Sequence, residues 1–588
     1  MDIFKHSPLV NQVFVVSGVF YTILSCGLGL GFLSAVLNKQ TPIEIKPLVE
    51  DDAIHCIEIA GEMAFVPSLV IIPFIMQCKG RRIATLAAVL PLLLFWIVSY
   101  VAAGYCFLLL NILHGMSMAG TVAVSSVSVA EFCTPKYRGP LLVLETAMLS
   151  LGILASHVCA AYLQWRVLST LGIITTVFGA IIVYYWPESP FWLISQGHVE
   201  KCTECFYWLR GQNQDSRREL DALISAHNVV MQTEVLRPIR KIHFKEKISI
   251  LAKSLFKRDF LRPFSVMILL FSFIGLGGEN SLSSYSLRDV FSMTNGKYIG
   301  TIILDIITFI CSLISCVLVQ LVKRKTLFIF TGSFSVLFLG LSSVFLFLQA
   351  LGMLSSDYLW LFLTFVTGFA MFMSLGTTAL PYTLLGEIFP MSYRGIGSSI
   401  TCAYLWAFGN TVLKLVPQLS SLMGVPGMLM LFVGFMTIAL VVLSKIMPET
   451  KDKTLLEIEN LMKYNMSLNE NDYEAVSVSE KDDVIGEALG PSPTASSTVH
   501  RIDNSISICR KWKTPRAGIP AGASYQFPAR RRTNDLIRRA DRVRFAGQSD
   551  EISLTPGESA PALRVRKLEG KNANYVFPLC FDRGDVLR

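Results

Sequence analysis

One charged pattern occurs twice in this chain, and its residue types and spacing are those of functional ion pairs. Glu131 and Arg138 stand seven residues apart, and Glu387 and Arg394 stand seven apart 256 residues further along the chain. A carboxylate and a guanidinium that pair outside bulk water each leave a costly uncompensated charge when the partner is lost. The pattern therefore predicts ion pairs that hold parts of the chain together and release them, and it does not predict residues that hold a ligand.

Two further charged motifs repeat at almost the same offset. Residues 187–189 (PES) match residues 448–450 (PET) at an offset of 261, and residues 80–82 (GRR) match residues 323–325 (KRK) at an offset of 243. We expect the glutamate of each PES or PET motif to reach the arginine cluster of its own copy. The alternative is a set of separate, solvated charges at helix ends. The predicted gate, which we call the charge network, consists of Arg81, Glu131, Arg138, Glu188, Arg324, Glu387, Arg394 and Glu449.

Long apolar segments must position these motifs. Of the 588 residues, 52% are hydrophobic and 16% are charged, whereas an average soluble domain is about 25% charged. A helix of about 20 apolar residues crosses a bilayer, and the sequence predicts twelve such segments. They are residues 11–35, 57–77, 84–104, 106–130, 141–163, 167–187, 263–287, 298–321, 326–350, 358–382, 397–420 and 424–447.

The repeat divides these segments into two sets of six in the same orientation, which is typical of a transporter whose site lies between two bundles. The predicted fold class is an all-α membrane protein with twelve transmembrane helices in two six-helix bundles. The predicted domains are an N-terminal bundle (1–187), a cytoplasmic loop of amphipathic helices (188–262), a C-terminal bundle (263–450) and a disordered cytoplasmic tail (451–588). Loops rich in Lys and Arg place both termini in the cytoplasm.

Composition and motifs exclude several classes of function. The apolar segments and the low charge exclude a disordered, nucleic-acid-binding or small disulfide-rich protein. The thirteen cysteines form no disulfide framework, and the CxxC of Cys202 and Cys205 has no second Cys or His pair nearby, so no metal site is predicted. The eight histidines are dispersed, and the sequence has no GxxxxGK[ST] phosphate loop. We therefore predict no enzyme, no ATP and no cofactor.

Longer motifs extend the charged patterns and carry a family resemblance. They are KGRR (79–82), AEFCTPKYRG (130–139), PESPFWLISQGHVEKC (187–202), GEIFPMSYRGIGSS (386–399) and PETKDKTLLEIE (448–459). With these motifs the chain resembles the sugar porters of the major facilitator superfamily, and among them the insect facilitated trehalose transporters. The resemblance implies the major facilitator fold, alternating access and transport of a small carbohydrate.

The resemblance also indicates where substrate would bind, and there the chain departs from the family pattern. Thr146 stands where sugar porters usually have a Gln, IGLGGEN (274–280) replaces a QQLSGIN-like string, and GTTALPY (376–382) replaces GPGPxPW. Because each unpaired buried hydroxyl costs about 1–3 kcal/mol, this loss of amides weighs against high-affinity recognition of an ordinary hexose or of trehalose. From the family pattern and midspan position, the candidate substrate-binding residues are Thr146, Glu279, Asn280, Tyr285, Thr308, Tyr382 and Asn410.

Apart from Glu58 at the edge of a span, four acidic residues lie within predicted spans, namely Glu62, Glu145, Glu279 and Asp305. A carboxylate in a membrane is costly and faces a cavity or a partner. Glu279 is the most informative because it precedes Asn280, and it either contacts a polar or cationic substrate, or titrates during transport, or is satisfied by neighbouring Ser and Asn residues. The first span has no Asp or Glu, which favours facilitated diffusion over proton coupling.

The sequence thus predicts a multi-pass plasma-membrane protein that moves a small polar solute, with a sugar as the predicted solute. Its expected partners are that solute and the lipid bilayer, and not nucleic acid. Two alternatives remain open. One is a proton-coupled or organic-ion carrier on the same fold, and the other is a transporter-like nutrient receptor with little flux.

Overall fold

The computed structural model describes residues 7–37, 63–102, 107–235, 256–277, 297–354, 358–391 and 393–464 and three short strands near the C-terminus. The chain divides into two compact units, Met1–Pro491 and Ser492–Arg588. The first unit is helical in its described part. The strands β1 (Ser553–Pro556), β2 (Leu563–Arg566) and β3 (Tyr575–Val576) belong to the second unit and form an antiparallel sheet in the order β1, β2, β3.

Two sets of helices build the first unit, and a group of shorter helices lies between them in the chain. The first half consists of α1 (Pro8–Leu37), α2 (Phe65–Lys79), α3 (Arg81–Ala102), α4 (Phe107–Phe132), α5 (Pro135–Tyr162) and α6 (Trp165–Tyr184). The connecting helices are α7 (Pro190–Ser195), α8 (Val199–Arg210) and α9 (Gln214–Val235). The second half consists of α10 (Arg258–Gly277), α11 (Lys297–Leu321), α12 (Arg324–Ala350), α13 (Leu359–Phe372), α14 (Ala379–Glu387) and α15 (Arg394–Ile446), and α16 (Leu455–Tyr464) follows it.

Ten helical segments in the described residues are long and apolar enough to cross a membrane, and α2 is a shorter apolar helix. Several begin before the predicted spans, for example α3 three residues earlier at Arg81 and α5 six residues earlier at Pro135. A search for apolar runs excludes charged residues at a helix start, although here Arg81 and Arg138 are helical and buried. Residues 57–62 of the predicted second span and 278–287 of the seventh lie outside the described residues.

The predicted eleventh and twelfth spans are joined in one helical run, α15, instead of being separated by a loop. The run bends at Gly424, whose φ of 71° lies in the left-handed region, which glycine adopts without the steric cost of a Cβ. Pro426 follows two residues later, and a proline cannot continue the backbone hydrogen bonding of a preceding helix. The bend therefore divides α15 into two arms at the place where the sequence predicts a boundary.

A π-helical turn interrupts the predicted tenth span, which the sequence analysis did not anticipate. It covers Met373–Thr377 between α13 and α14, and the Thr378 N–H donates to the Met373 carbonyl at 2.9 Å, a five-residue step. Single π turns are uncommon and often occur at functional positions. Here the turn packs against α11 and α12, so it lies inside the second half.

The two halves pack against each other along several pairs of helices. α5 contacts α11, α2 contacts α15, and α4 contacts both α14 and α15. Within the first half, α1 lies against α5, where a Cβ placed on Gly152 would be 2.7 Å from the Leu28 amide nitrogen. Small residues allow membrane helices to approach this closely.

The connecting helices α7, α8 and α9 lie within residues 188–262, where the sequence predicts amphipathic helices, and residues 236–255 of that range lie outside the described residues. The connecting helices are fastened to the start of α1 by two side-chain amides, since Asn11 donates to the Trp208 carbonyl at 2.9 Å and Gln12 donates to the Leu209 carbonyl at 2.8 Å. The Gln12 side-chain oxygen also accepts from the Thr134 N–H at 3.0 Å. This group therefore packs beneath the first half, next to the turn between α4 and α5.

The predicted disordered tail differs from the structure at its start, where α16 forms and packs against α10. Thr454 and Glu457 form a capping box, in which each side chain accepts from the other residue's N–H, at 2.9 and 3.2 Å. Glu459 accepts from the Met391 N–H at 3.0 Å, and Arg262 donates to the Met462 carbonyl at 3.1 Å. Residues after 464 lie outside the described residues apart from the three strands.

Replacing Gly152 by Val tests the close contact between α1 and α5. The added side chain collides with the α1 backbone, and overpacking of this kind costs about 1–3 kcal/mol. We expect Gly152→Val to lower the thermal unfolding midpoint of the protein in detergent. Gly434→Val is the control, because a Cβ on Gly434 meets nothing within 4 Å. Equal midpoints for the two variants would contradict this packing.

The docking of α16 is expected to depend on pH through Glu459. Burial raises the pKa of this carboxyl above its ordinary value, and the Met391 N–H and Arg394 oppose that rise. A raised pKa means that the stabilising contribution is full below the ordinary glutamate value and is lost as the pH rises through the pKa in the folded protein. Glu459→Gln should therefore gain thermal stability relative to the original protein as the pH increases from about 4.5 to about 7.5. Glu204→Gln on the exposed face of α8 is the control, and a Glu459→Gln midpoint that tracks the original protein at every pH would contradict the prediction.

Candidate functional site

The charge network lies where helices of both halves begin or end. Arg81, Arg138, Arg324 and Arg394 stand in the first turns of α3, α5, α12 and α15, while Glu131 and Glu387 stand at the ends of α4 and α14. All six side chains are buried, with exposed fractions of 6% or less. Burial of this degree is incompatible with the alternative of separate, solvated charges.

In the first half, one glutamate pairs with an arginine and another caps a helix. Arg81 donates through Nη2 to Glu131 Oε1 at 2.7 Å, and the Ser189 hydroxyl donates to Glu131 Oε2 at 2.5 Å. Glu188 Oε1 accepts from the backbone N–H of Arg81 at 2.6 Å. Glu188 thus reaches its own arginine cluster as predicted, but it binds the helix N-terminus, where backbone N–H groups lack partners within the helix.

The second half repeats this arrangement with substitutions. Arg324 forms an ion pair with Glu387 and donates to the Thr450 hydroxyl at 2.7 Å. Glu449 accepts from the backbone N–H groups of Arg324 and Lys325 at 3.1 and 3.2 Å. The repeated sequence motifs therefore correspond to a repeated structure, with one buried ion pair and one carboxylate cap in each half.

Two interactions of the charge network connect one half to the other or to the segment that follows it. Arg394 Nη1, in the second half, donates to Glu131 Oε1 in the first half at 3.3 Å. Arg138 Nη1, in the first half, donates at 3.3 Å to the backbone carbonyl of Lys453, which follows the second half. Glu131 thereby receives one arginine from each half, and it joins them at this end of the molecule.

The crossing interactions do not obey the internal repeat. By analogy with Arg394 and Glu131, the repeat predicts that Arg138 pairs with Glu387. Instead Arg138 donates to backbone carbonyls, of Lys453 and, at 3.4 Å, of Cys133, and Glu387 Oε1 has no hydrogen-bond partner among the described residues. Of the two glutamates that form ion pairs in the network, Glu131 therefore has partners on both oxygens, and Glu387 has them on one among the described residues.

Burial also changes the acidity of groups that border the network. It raises the pKa of the Glu188 carboxyl, although the N–H groups of Ser189 and Arg81 act in the opposite direction. It raises the pKa of the Cys133 thiol to about 12, so that thiol is protonated at neutral pH. Cys133 is thus a packing residue and not a nucleophile.

Arg210 is a buried member of this region that the sequence analysis missed. It donates to the Cys133 carbonyl at 3.2 Å, pairs with Glu219 and lies 4.6 Å from the centre of the Phe206 ring. Phe191 on α7 lies beneath both Arg210 and Arg394, at 5.9 and 5.8 Å. Arg210 has no counterpart in the repeat. In the sequence it stands out only as part of YWLRG (207–211), at the end of an amphipathic helix.

The candidate substrate-binding residues are divided between the halves. Thr146 lies half-buried on α5 and donates to the Val143 carbonyl at 2.7 Å, and Thr308 lies half-buried on α11. Tyr382 on α14 lies 5.7 Å from the Phe271 ring, and Asn410 is half-buried on α15. The other three candidates, Glu279, Asn280 and Tyr285, lie outside the described residues.

Two of the four acidic residues predicted within spans are described, and both are partnered. Glu145 is buried and accepts a hydrogen bond from the Ser125 hydroxyl on Oε1, whereas its Oε2 has no partner among the described residues. Asp305 pairs with His157, a residue that the sequence analysis did not single out. Glu62 and Glu279 lie outside the described residues, which contain no cluster of His, Cys, Asp and Glu suited to a metal.

Comparisons with known proteins show the family of this chain. The family model described as "Sugar (and other) transporter" matches residues 54–462. The facilitated trehalose transporter Tret1 of Drosophila virilis is 30% identical over 402 residues, which are 66% of this chain and 42% of that protein. Tret1 of Drosophila pseudoobscura pseudoobscura is 29% identical over 481 residues, 78% of this chain and 52% of that protein. The chain spans about half the length of the curated relatives that it matches.

A solved structure shows the same fold. The major facilitator superfamily proton:xylose symporter XylE, bound to 6-bromo-6-deoxy-D-glucose, superposes with a TM-score of 0.62 at 17% identity, over 77% of this chain and 99% of that chain. Together with the apolar helices, this shows a multi-pass membrane protein with the major facilitator fold. Because the family model covers more than half of the residues, the chain belongs to the sugar transporter family, and it is similar to the insect facilitated trehalose transporters.

Proposed function

We propose that this chain carries a small carbohydrate across a membrane by alternating access between its two halves. The observation that carries the proposal is the position of Glu131. This fully buried carboxylate accepts from Arg81 in its own half at 2.7 Å and from Arg394 in the other half at 3.3 Å. While this interaction between the halves is formed, it closes one end of the substrate path between them.

The energetics make this connection reversible. Removing one partner of a buried ion pair costs about 3–5 kcal/mol when the remaining charge stays dry. When the halves separate, water enters and hydrates the freed Arg394 and Glu131, so the cost of opening is smaller. Glu131 keeps Arg81 and Ser189 in either case, because both lie in its own half or directly after it. The network thus favours the closed end without locking it.

The proposed topology follows the sequence prediction. The ten membrane-length segments together with α2 and the second arm of α15 support a count of twelve spans. Loops rich in Lys and Arg support a cytoplasmic location for the charge network and for both termini. On this proposal the bundles comprise residues 1–187 and 263–450, the loop 188–262 and the tail 451–588 are cytoplasmic, and the membrane is the plasma membrane.

The proposed substrate is trehalose- or hexose-like, and the proposed mode is facilitated diffusion. The names of the relatives support a sugar, and the lack of any Asp or Glu in α1 supports transport without proton coupling. Thr146, Thr308, Tyr382 and Asn410, with Glu279, Asn280 and Tyr285, are the proposed binding residues. Proton coupling is the second candidate, because Glu145 is buried with one oxygen that has no partner in the described residues.

Flux into liposomes tests the proposed function. The purified full chain should take up labelled trehalose or glucose with saturation, and unlabelled sugar should compete. Acidification of the liposome interior that accompanies uptake would support the proton-coupled or organic-ion carrier instead. Saturable binding without flux would support the transporter-like nutrient receptor, and absence of both would contradict a sugar substrate.

Loss of the crossing ion pair should slow transport. Arg394→Gln removes the interaction between the halves and leaves the pair of Arg81 with Glu131 in place. A loss of about 1.4 kcal/mol in one conformation changes its population about tenfold, so we expect uptake to fall by about that factor while protein yield is kept. Arg82→Gln is the matched control, since Arg82 donates to the Trp186 carbonyl within the first half at 3.3 Å. An unchanged rate in Arg394→Gln would remove this pair from the mechanism.

A further inference from the structure

A second polar connection between the halves lies far from the charge network. It joins His157 on α5 to Asp305 on α11. His157 lies 19 residues after Arg138 on the same helix, which is about 28 Å at 1.5 Å per residue. Asp305 lies 16 residues before the end of α11 at Leu321, which is about 24 Å. Both residues are therefore close to the opposite face of the helical unit.

The geometry is that of a close hydrogen-bonded pair. His157 Nδ1 lies 2.6 Å from Asp305 Oδ2, and the side chains are 8% and 17% exposed. The other ring nitrogen, Nε2, is buried and has no hydrogen-bond partner among the described residues. An acidic residue within a span is costly and has a partner or faces a cavity, and here the partner comes from the other half.

A second contact accompanies this pair at another junction of the halves. Phe65, at the start of α2, stacks on Trp406 of α15 with ring centres 4.4 Å apart and an interplanar angle of 14°. Trp406 lies 12 residues after Arg394, about 18 Å along α15. The halves therefore touch beyond the charge network through both of the helix pairs α5 with α11 and α2 with α15.

We propose that His157 and Asp305 form a latch that closes the face opposite the charge network. The proposal rests on the proposed function only for the movement of the two halves against one another. Removing either side chain leaves the other buried polar group without its partner, which is costly. Loss of either residue should therefore shift the molecules towards halves that are separated at this face.

Among the described residues, His157 and Asp305 form ion pairs only with each other. A variant that removes one of them therefore leaves the other without an ion-pair partner.

A distance measurement between the halves tests the latch without any sugar. Fluorophores are attached through unnatural amino acids at Tyr162 on α5 and Leu422 on α15, which are each 79% exposed, so the native cysteines are kept. In liposomes, His157→Gln and Asp305→Asn should each lower the ratio of short-distance to long-distance molecules about fivefold or more relative to the original protein.

Two further variants make the result specific. His114→Gln is the matched control, because His114 is a buried histidine whose ring contacts the Cys26 carbonyl within the first half at 3.1 Å, and it should keep the distance distribution of the original protein. The double exchange His157→Asp with Asp305→His should restore that distribution. A distance distribution in His157→Gln or in Asp305→Asn equal to that of the original protein would overturn the latch. Absence of sugar flux would count against the proposed function alone, since no sugar is used here.

Discussion

The carboxylate of Glu131 is the group on which the arrangement of the two halves depends. It lies out of water at the end of α4, and it is stabilised by an arginine from each half and by the Ser189 hydroxyl. A buried charge tolerates the loss of a partner poorly, so this position constrains where α3, α15 and the turn before α7 can lie. The connecting helices add to the constraint, because Phe191 lies beneath Arg394.

The internal repeat places a glutamate at this position in each half, but the two glutamates have different partners. Glu131 accepts from both halves, whereas Glu387 pairs with Arg324 of its own half and leaves Oε1 without a partner among the described residues. Arg138 correspondingly reaches the Lys453 carbonyl and not a carboxylate. The duplicated sequence thus gives an equivalent ion pair within each half. Contacts between the halves depend on how the two bundles pack against each other, and the repeat does not specify that packing.

Polar interactions connect the two halves at both faces of the helical unit. The charge network joins Arg394 of the second half to Glu131 of the first half. At the opposite face, His157 of the first half is joined to Asp305 of the second half. Since the two sites are separated by about 28 Å along α5, a tilt of that one helix relative to α11 and α14 affects both.

The sequence by itself determined the membrane character and the sugar transporter family, which follow from apolar run length and from local motifs. From repeated spacing it also predicted the two duplicated halves, the amphipathic connecting helices and the eight members of the charge network. Tertiary structure alone decided that Glu188 and Glu449 cap helices, that Arg394 and not Arg138 supplies the crossing ion pair, and that Arg210 and His157 take part. The π turn at Met373–Thr377 and the bend at Gly424 also emerged only there. The physical reason is that partners from different halves meet only when two bundles pack, and residue spacing along one chain does not specify that packing.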